Sequence, residues 1–200
     1  MPDPIIEFAT KEMPKSKRAL LVTGLSLFSK HGVDAISIGD ISKITGFSRP
    51  SIFKFYKTKD EMAADIFAIC YSGIYEKLKP IINSNADLVS RLTFFCELSA
   101  DAIVDNAESL FMISENLRRL WPYTTGLDKT KTILSVVVDL AKLGQTTNIV
   151  NKELTAEETG MAIIGVIQQM ARIQFFSDKK KSKKDIATTL LVISKRIMKI

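Results

Sequence analysis

Residues 37 to 62, with the sequence SIGDISKITGFSRPSIFKFYKTKDEM, decide the fold of this chain. They predict two short helices joined by a tight turn, followed by a lysine-rich turn into a third helix. Ser37 and Asp40 have the spacing of a capping box at the start of the first helix. Gly46 ends that helix, because glycine adopts the left-handed conformation at little cost. This layout is typical of a helix-turn-helix that reads DNA.

The apolar positions of this stretch predict which sides of the two helices pack together. Ile38, Ile41 and Ile44 recur at helical spacing and predict one inward face of the first helix. Ser48 is expected to cap the second helix, with Pro50 in its first turn, where a missing N–H costs nothing. The residues of the second helix predicted to face back toward the first are Ile52 and either Phe55 or Tyr56.

The residues left on the outer side are small, polar or basic, and no acid is among them. Arg49, in the first turn of the second helix, suits two hydrogen bonds to a guanine. Lys54, Lys57 and Lys59 suit phosphates, where charge matters more than fork geometry. An ordinary solvated face is the alternative for these lysines, but the caps and the apolar spacing favour DNA binding. The outward set is Ser48, Arg49, Ser51, Lys54, Lys57 and Lys59.

Residues 15 to 62 resemble the DNA-binding domain of the tetracycline-repressor (TetR) family. The first helix of that family ends in Leu-Phe-x-x-x-Gly, which Leu27, Phe28 and Gly32 match here. Residues 37 to 42 match its capped second helix. The family signature Gly-Val-Ser-x-x-x-Leu-Tyr-x-Tyr-Phe-x-x-Lys is matched by GFSRPSIFKFYKTK over residues 46 to 59.

The resemblance implies roles that are divided between phosphates and bases. Ser37 and Lys59 are expected to hold phosphates, and Lys54 to lie at the groove or the backbone. Phe53 stands where the family usually has a tyrosine whose hydroxyl binds a phosphate, so that hydrogen bond cannot form. Gly39 replaces a longer, often polar, side chain, which puts more weight on the arginine of the second helix. The residues expected at base edges are Arg49, Pro50 and Ser51, and Ser48, Phe53 and Lys57 complete the predicted DNA-binding set.

Composition agrees with a specific DNA-binding protein. The 200 residues carry a net charge of +6 and a pI near 9.2. Residues 1 to 60 hold ten Lys and Arg against six Asp and Glu, so most of the excess lies on the predicted DNA-binding segment. No signal-peptide pattern and no run of about 18 apolar residues occurs, so we expect a cytoplasmic protein with no membrane segment.

The sequence has few residues of the types that act in redox chemistry, metal binding or catalysis. Cys70 and Cys96 lie 26 residues apart in apolar helical contexts, which predicts reduced core cysteines, with a redox switch as the alternative. One histidine and no close cysteine pair argue against a metal site, and no cofactor is expected. The sequence has no glycine-rich phosphate loop and no nucleophile–base pair, so we predict that the chain is not an enzyme.

The predicted architecture is all-α, with an N-terminal three-helix DNA-binding domain and a C-terminal six-helix domain for ligand binding and dimerisation. Residues 1–14, with three prolines, are expected to be a loose leader, residues 15–58 the DNA-binding domain and residues 59–200 the second domain. The helices predicted in that second domain are 59–79, 87–104, 107–120, 128–143 closed by Gly144, 155–176 and 183–199.

The last two helices predict a partner. Helix 155–176 is apolar nearly all round, and helix 183–199 carries two adjoining apolar stripes. We expect both to pair with their copies in a two-fold homodimer, with a monomeric bundle end as the alternative. The lysine run 179–184 between them is expected to be a solvated loop, with a DNA contact as the alternative.

The resemblance also implies an effector pocket among the middle helices. Plain core packing is the alternative at each candidate position, since cores use aromatic residues and Met at helical spacing. The expected function is a repressor released from a palindromic operator by a small, largely apolar effector. The alternative is a DNA-binding factor of the same fold, without a small-molecule ligand, that acts through a protein partner in chromosome organisation or division. The candidate ligand-binding residues are Tyr71, Phe95, Met112, Trp121 and Gln168.

Overall fold

The computed structural model describes residues 3–124 and 127–200, and all regular structure in those residues is helical. This confirms the predicted all-α class: within these ranges, three α-helices form the DNA-binding end and six follow them, as predicted, and a short additional helix precedes all nine. No helix in the described part of the chain combines the length and apolarity needed to span a membrane. The helices are α1 (Pro4–Ala9), α2 (Lys15–His31), α3 (Ile38–Thr45), α4 (Arg49–Phe53), α5 (Lys59–Leu78), α6 (Leu88–Asp105), α7 (Ala107–Leu120), α8 (Ile133–Thr146), α9 (Ala156–Phe176) and α10 (Lys183–Met198).

The chain forms two compact units that interleave along the sequence. The first contains the described residues up to Gly73 together with Asn106–Leu127, and the second contains Ile74–Asp105 together with Asp128–Ile200. The helix-turn-helix therefore shares its unit with α7 and most of α5, whereas the sequence suggested a boundary between residues 58 and 59. In the first unit, α2 packs on both α3 and α7.

Residues 3–14 are folded, in contrast to the loose leader expected over residues 1–14, of which residues 1 and 2 lie outside the described part of the chain. Ile5 and Ile6 of α1 are buried, and Ile5 Cγ2 lies 2.3 Å from the position that a Cβ at Gly73 would take. The Asp3 carboxylate is also buried and accepts hydrogen bonds from the amide of Ile5 at 3.0 Å and that of Ser109 at 2.9 Å. One side chain thus caps both α1 and α7, which local sequence patterns do not reveal.

Asp3→Ala is expected to lower the free energy of unfolding by about 2 kcal/mol. Each buried amide left unpaired costs roughly 1–3 kcal/mol, and removal of the buried carboxylate offsets part of that cost. Burial raises the pKa of the Asp3 carboxyl above its ordinary 3.8. The folded state then disfavours ionisation, so its stability falls as the pH rises through 3.8 toward the raised pKa and is constant above it. Urea unfolding between pH 3 and pH 7 tests this. The Asp3→Asn variant should lack this pH-dependent loss, and an identical pH profile in both proteins would contradict the prediction.

The second unit is built by packing α9 on α8 and α10 on α6. The predicted helix 128–143 instead starts at Ile133, because Asp128 forms a turn with Thr130 and Thr132 provides the cap. Gly144 does not end that helix. It lies buried within α8, where a Cβ would stand 2.2 Å from Val150 Cγ2, so its role is to allow close packing.

Both cysteines are buried and unbridged. Burial raises the pKa of the Cys70 thiol far above its ordinary value and that of Cys96 to about 11. Because the thiolate is the reactive form, burial disfavours redox chemistry at both sites. This agrees with the prediction of reduced core cysteines.

The lysine run has partners within its own unit. The Lys180 ammonium donates to the Phe175 carbonyl at 2.9 Å and also to the carbonyl of Gln174. Lys183 forms ion pairs with Asp101, at 3.0 Å, and with Asp105. The Gln174 amide exchanges hydrogen bonds with the backbone of Lys181. These contacts favour the predicted role of a connecting loop over that of a DNA contact.

Candidate nucleic-acid interface

The first helix of the helix-turn-helix, α3, starts with the predicted capping box. The Ser37 hydroxyl accepts from the Asp40 amide at 3.2 Å, and the Asp40 carboxylate accepts from the Ser37 amide at 2.9 Å. The hydroxyl of Ser37 also donates to that carboxylate, which holds the pKa of Asp40 below its usual range. The acid is therefore engaged in the cap, and its negative charge is kept at the helix N-terminus, where it is stabilised.

The turn and the recognition helix α4 follow from three small residues. Gly46 has φ 73°, in the left-handed region, and its amide donates to the Ser42 carbonyl at 2.9 Å. Ser48 caps α4 by accepting from the Ser51 amide at 3.3 Å, and the two hydroxyls lie 2.8 Å apart. Pro50 occupies the first turn as predicted. The cap fixes where α4 begins and therefore which side chains its first turn presents.

The inner side of the helix-turn-helix differs from the prediction at one position. Ile41 and Ile52 are fully buried, and Tyr56 rather than Phe55 is the aromatic residue that packs inward. Ile44 was predicted to face inward, but 60% of its side chain is exposed. On a helix, positions 38 and 45 lie on one side of position 41 and position 44 on the other. The core packs against the side of α3 that carries positions 38 and 45, which leaves Ile44 exposed.

The outer side carries the predicted DNA-binding set. Phe53 is 48% exposed, so its ring is accessible even though it lacks the hydroxyl of a tyrosine. The Lys59 ammonium donates to the carbonyl of Asp34 at 3.3 Å, which ties this lysine to the connection between α2 and α3. The exposed members are Ser37, Ser48, Arg49, Pro50, Phe53, Lys54 and Lys57, and the half-exposed members are Ser51 and Lys59.

Arg49 is available for a base. Its guanidinium makes no hydrogen bond or ion pair with any residue that the structure describes. Lys43 is a further basic residue that the sequence reasoning missed. It is exposed on α3, about one turn after Gly39. Residues four apart lie on the same face of a helix, so this spacing from Gly39 could have identified Lys43 in the sequence.

Two basic residues in the first turn of α2, Lys17 and Arg18, have acidic partners within the first unit. Lys17 lies 3.4 Å from an Asp65 carboxylate oxygen, and its ammonium is 5.4 Å from the centre of the Tyr56 ring. The Tyr56 hydroxyl donates to Asp65 at 2.6 Å, and burial together with this acceptor raises the pKa of the tyrosine. Arg18 pairs with Glu7 at 3.4 Å. These bonds hold α2 against the start of α5 and against α1.

Arg119 of α7 connects that helix to the helix-turn-helix. Its Nη1 lies 2.6 Å from Asp34 in the α2–α3 connection, and its Nη2 lies 2.6 Å from Asp60 in the first turn of α5. The guanidinium fork therefore joins three segments of the first unit. A displacement of α7 would reach the DNA-binding helices through this side chain.

The candidate ligand-binding residues are divided between the units. Tyr71 and Trp121 form one aromatic cluster with Phe67, with ring centres 4.8 Å apart for Tyr71 and Trp121 and 5.9 Å apart for Phe67 and Tyr71. Met112 is buried in the same unit. Phe95 and Gln168 belong to the second unit, in which Phe95 is buried and Gln168 is exposed on α9.

An open cleft of about 1210 Å³ lies in the first unit, and its lining mixes charged residues with apolar and aromatic ones. It is bordered by Lys17, Asp60, Asp65 and Arg119, which form the ion pairs described above. An effector that entered this cleft would meet charged side chains as well as apolar ones. The aromatic cluster of Phe67, Tyr71 and Trp121 remains the apolar candidate within this unit.

Comparison with known sequences confirms the resemblance at the DNA-binding end. Residues 20–66 match the family model of bacterial regulatory proteins of the tetR family. The HTH-type transcriptional regulator AcrR of Shigella flexneri is 32% identical over 66 residues, which are 33% of this chain and 31% of that protein. The match thus spans about a third of the length of that curated relative.

Solved structures resemble the whole chain. A regulatory protein of the tetR family from Rhodococcus RHA1 has a TM-score of 0.80 at 16% identity, covering 93% of this chain and 98% of that one. The ketosteroid transcriptional regulator KstR2 of Mycobacterium tuberculosis has a TM-score of 0.75 at 16% identity over 92% and 94%. The fatty acid degradation regulator FadR of Bacillus halodurans has a TM-score of 0.73 at 12% identity over 92% and 96%. Likeness at these identities establishes the fold.

Proposed function

We propose that this chain, a TetR-family protein by its DNA-binding domain, is a sequence-specific repressor that leaves a palindromic operator when it binds a small, largely apolar effector. The observation that carries the proposal is the outer surface of α3 and α4. Two capped helices present Arg49, which is unpaired among the described residues, beside small polar residues, and the only acid of α3, Asp40, is engaged in its own cap. A major groove accepts such a helix, and exposed lysines beside it suit phosphates.

The proposed assembly is a two-fold homodimer through α9 and α10. Large apolar side chains remain exposed on both helices, and charged residues are expected there if the surface faces water. Met161, Ile173 and Phe176 of α9 are 55%, 55% and 62% exposed, and Val192 of α10 is 46% exposed. A copy related by a two-fold axis would cover these groups and bring two recognition helices to one palindrome.

The proposed effector is apolar because the aromatic cluster offers rings rather than charges. Two of the structural neighbours are a ketosteroid transcriptional regulator and a fatty acid degradation regulator, which supports an apolar effector for this proposal. Binding beside Trp121 would displace the end of α7. Arg119 would then transmit the displacement to Asp34 and Asp60 and shift the DNA-binding helices between two states.

Trp121 is the single tryptophan of the chain and therefore a built-in probe for an effector. A panel of fatty acids and steroids is added to the protein while tryptophan emission and thermal unfolding are recorded together. A ligand that shifts both signals and releases operator DNA supports the effector part of the proposal. If no apolar ligand does so while operator binding is intact, the alternative of a regulator that works through a protein partner is favoured.

Arg49→Ala is expected to lower operator affinity about 5- to 150-fold, because a bidentate arginine–guanine pair contributes roughly 1–3 kcal/mol of discrimination. Fluorescence anisotropy is measured at two salt concentrations on DNA from the region upstream of the protein's own gene, or on a sequence found by random selection. Affinity for unrelated competitor DNA should change little.

Lys54→Ala is the matched control for Arg49→Ala. It removes one exposed positive charge from the same helix-turn-helix. We expect it to weaken binding to operator and competitor by similar factors and to reduce the slope of log affinity against log salt by about one. Equal effects of both variants on competitor DNA, with no loss of selectivity in Arg49→Ala, would mean that the helix-turn-helix anchors without reading sequence.

A further inference from the structure

Gly39, in the first turn of α3, leaves a space that the Arg49 guanidinium occupies. An ideal Cβ built at Gly39 would lie 2.7 Å from Arg49 Nη2 and 3.5 Å from its Cζ. The same Cβ would lie 3.3 Å from the hydroxyl oxygen of Ser37. The first of these distances is shorter than real side chains tolerate, so any residue larger than glycine must move the arginine.

The backbone conformation at position 39 does not require a glycine. Among the described residues, the glycines with positive φ are Gly32 and Gly46, and Gly39 is not one of them. Glycine within a helix is disfavoured relative to alanine, because it loses more conformational freedom on folding. The contact with Arg49 is the feature of the described structure that a side chain at position 39 would disturb most.

The guanidinium lies in this space on the exposed surface of the helix-turn-helix, and its donors are not used there by any described residue. The carboxylate of Asp40, the next residue, attracts Arg49 through their opposite charges. The five N–H groups remain unpaired within the described residues, so they stay available for a base.

We propose that Gly39 is a positioning residue for sequence recognition: its missing side chain sets the direction from which Arg49 approaches the base. The inference rests on the proposed DNA-binding function and deepens it. Position 39 then determines specificity without touching DNA. A larger residue there pushes the guanidinium away from α3, and the base pair that it reads changes.

The test is a random-sequence selection followed by anisotropy measurements on the wild type, Gly39→Ala, Arg49→Ala and the double variant. Wild type should enrich one palindrome. Gly39→Ala should reduce discrimination at the base pair read by Arg49 about tenfold, within the range expected for one arginine–guanine pair. The double variant should match Arg49→Ala, because Gly39 acts through that arginine.

Folding is controlled within the same experiment. Gly39→Ala should keep or raise the melting temperature, because alanine favours helix and the obstructing atoms are the end of a flexible side chain. Ile44→Ala, an exposed change on the same helix, should keep the wild-type motif. An unchanged motif in Gly39→Ala, or an equal loss with and without Arg49, overturns the inference while the proposed function stands. A wild type that enriches no sequence overturns both.

Discussion

Ile173→Asp is expected to convert the protein from a dimer to a monomer and to lower operator affinity by about 10²- to 10⁴-fold. Ile173 lies on α9 with 55% of its side chain exposed, among the apolar residues proposed to face the copy. A two-fold axis introduces the new carboxylate twice, and burying an unpaired charge is strongly unfavourable. Without the dimer each half-site is bound separately, so the gain from linking two recognition helices is lost.

The measurement combines analytical ultracentrifugation at micromolar concentration with anisotropy on the selected palindrome. Because Ile173 is exposed in the isolated chain, Ile173→Asp should leave the circular dichroism spectrum and the fold of each chain unchanged. Ile149→Asp is the matched control, since it places the same charge at an exposed isoleucine in the connection between α8 and α9. A variant that sediments as a dimer, or a monomer with undiminished operator affinity, would remove α9 from the proposed interface.

The helix-turn-helix was predictable from the sequence because its determinants are local. Caps at Ser37 and Ser48 and the left-handed turn at Gly46 each involve residues within a few positions of one another, and all three occur as expected. The helix ends of the rest of the chain were predictable for the same reason wherever a cap or a proline marked them. Thr155 with Glu158 is one such capping box.

The remaining features depend on contacts between distant segments, which periodicity does not report. The N-terminal segment folds because Asp3 caps a helix that begins more than 100 residues later. Gly144 resembles a helix stop but is a packing contact, and only the position of Val150 distinguishes the two. The relation between Gly39 and Arg49 also depends on a contact between separate helices. The sequence shows a glycine at position 39, but it does not show that the Arg49 guanidinium occupies the space beside it.

Phe67→Ala is expected to lower the free energy of unfolding by about 3–5 kcal/mol, as for other fully buried phenylalanines. Phe67 has no exposed surface, and its ring lies 5.9 Å from that of Tyr71 and 6.4 Å, edge to face, from that of Trp121. Total stabilities are roughly 5–15 kcal/mol, so this loss is a large share. The loss is measured by urea unfolding, followed by the emission of Trp121, whose ring lies next to that of Phe67.

The size of this loss distinguishes core packing from an effector pocket at the aromatic cluster. Phe53→Ala is the matched control, because that ring is largely exposed and its removal should cost less than about 0.5 kcal/mol. A loss in Phe67→Ala of less than 1 kcal/mol would mean that the ring lines a cavity instead of filling a core. A full loss, recovered in part by an apolar ligand that binds the folded variant, would place the effector in the space left by Phe67. Since α5 carries both Phe67 and the Asp60 partner of Arg119, such a ligand should also release the variant from operator DNA, as the proposed function requires.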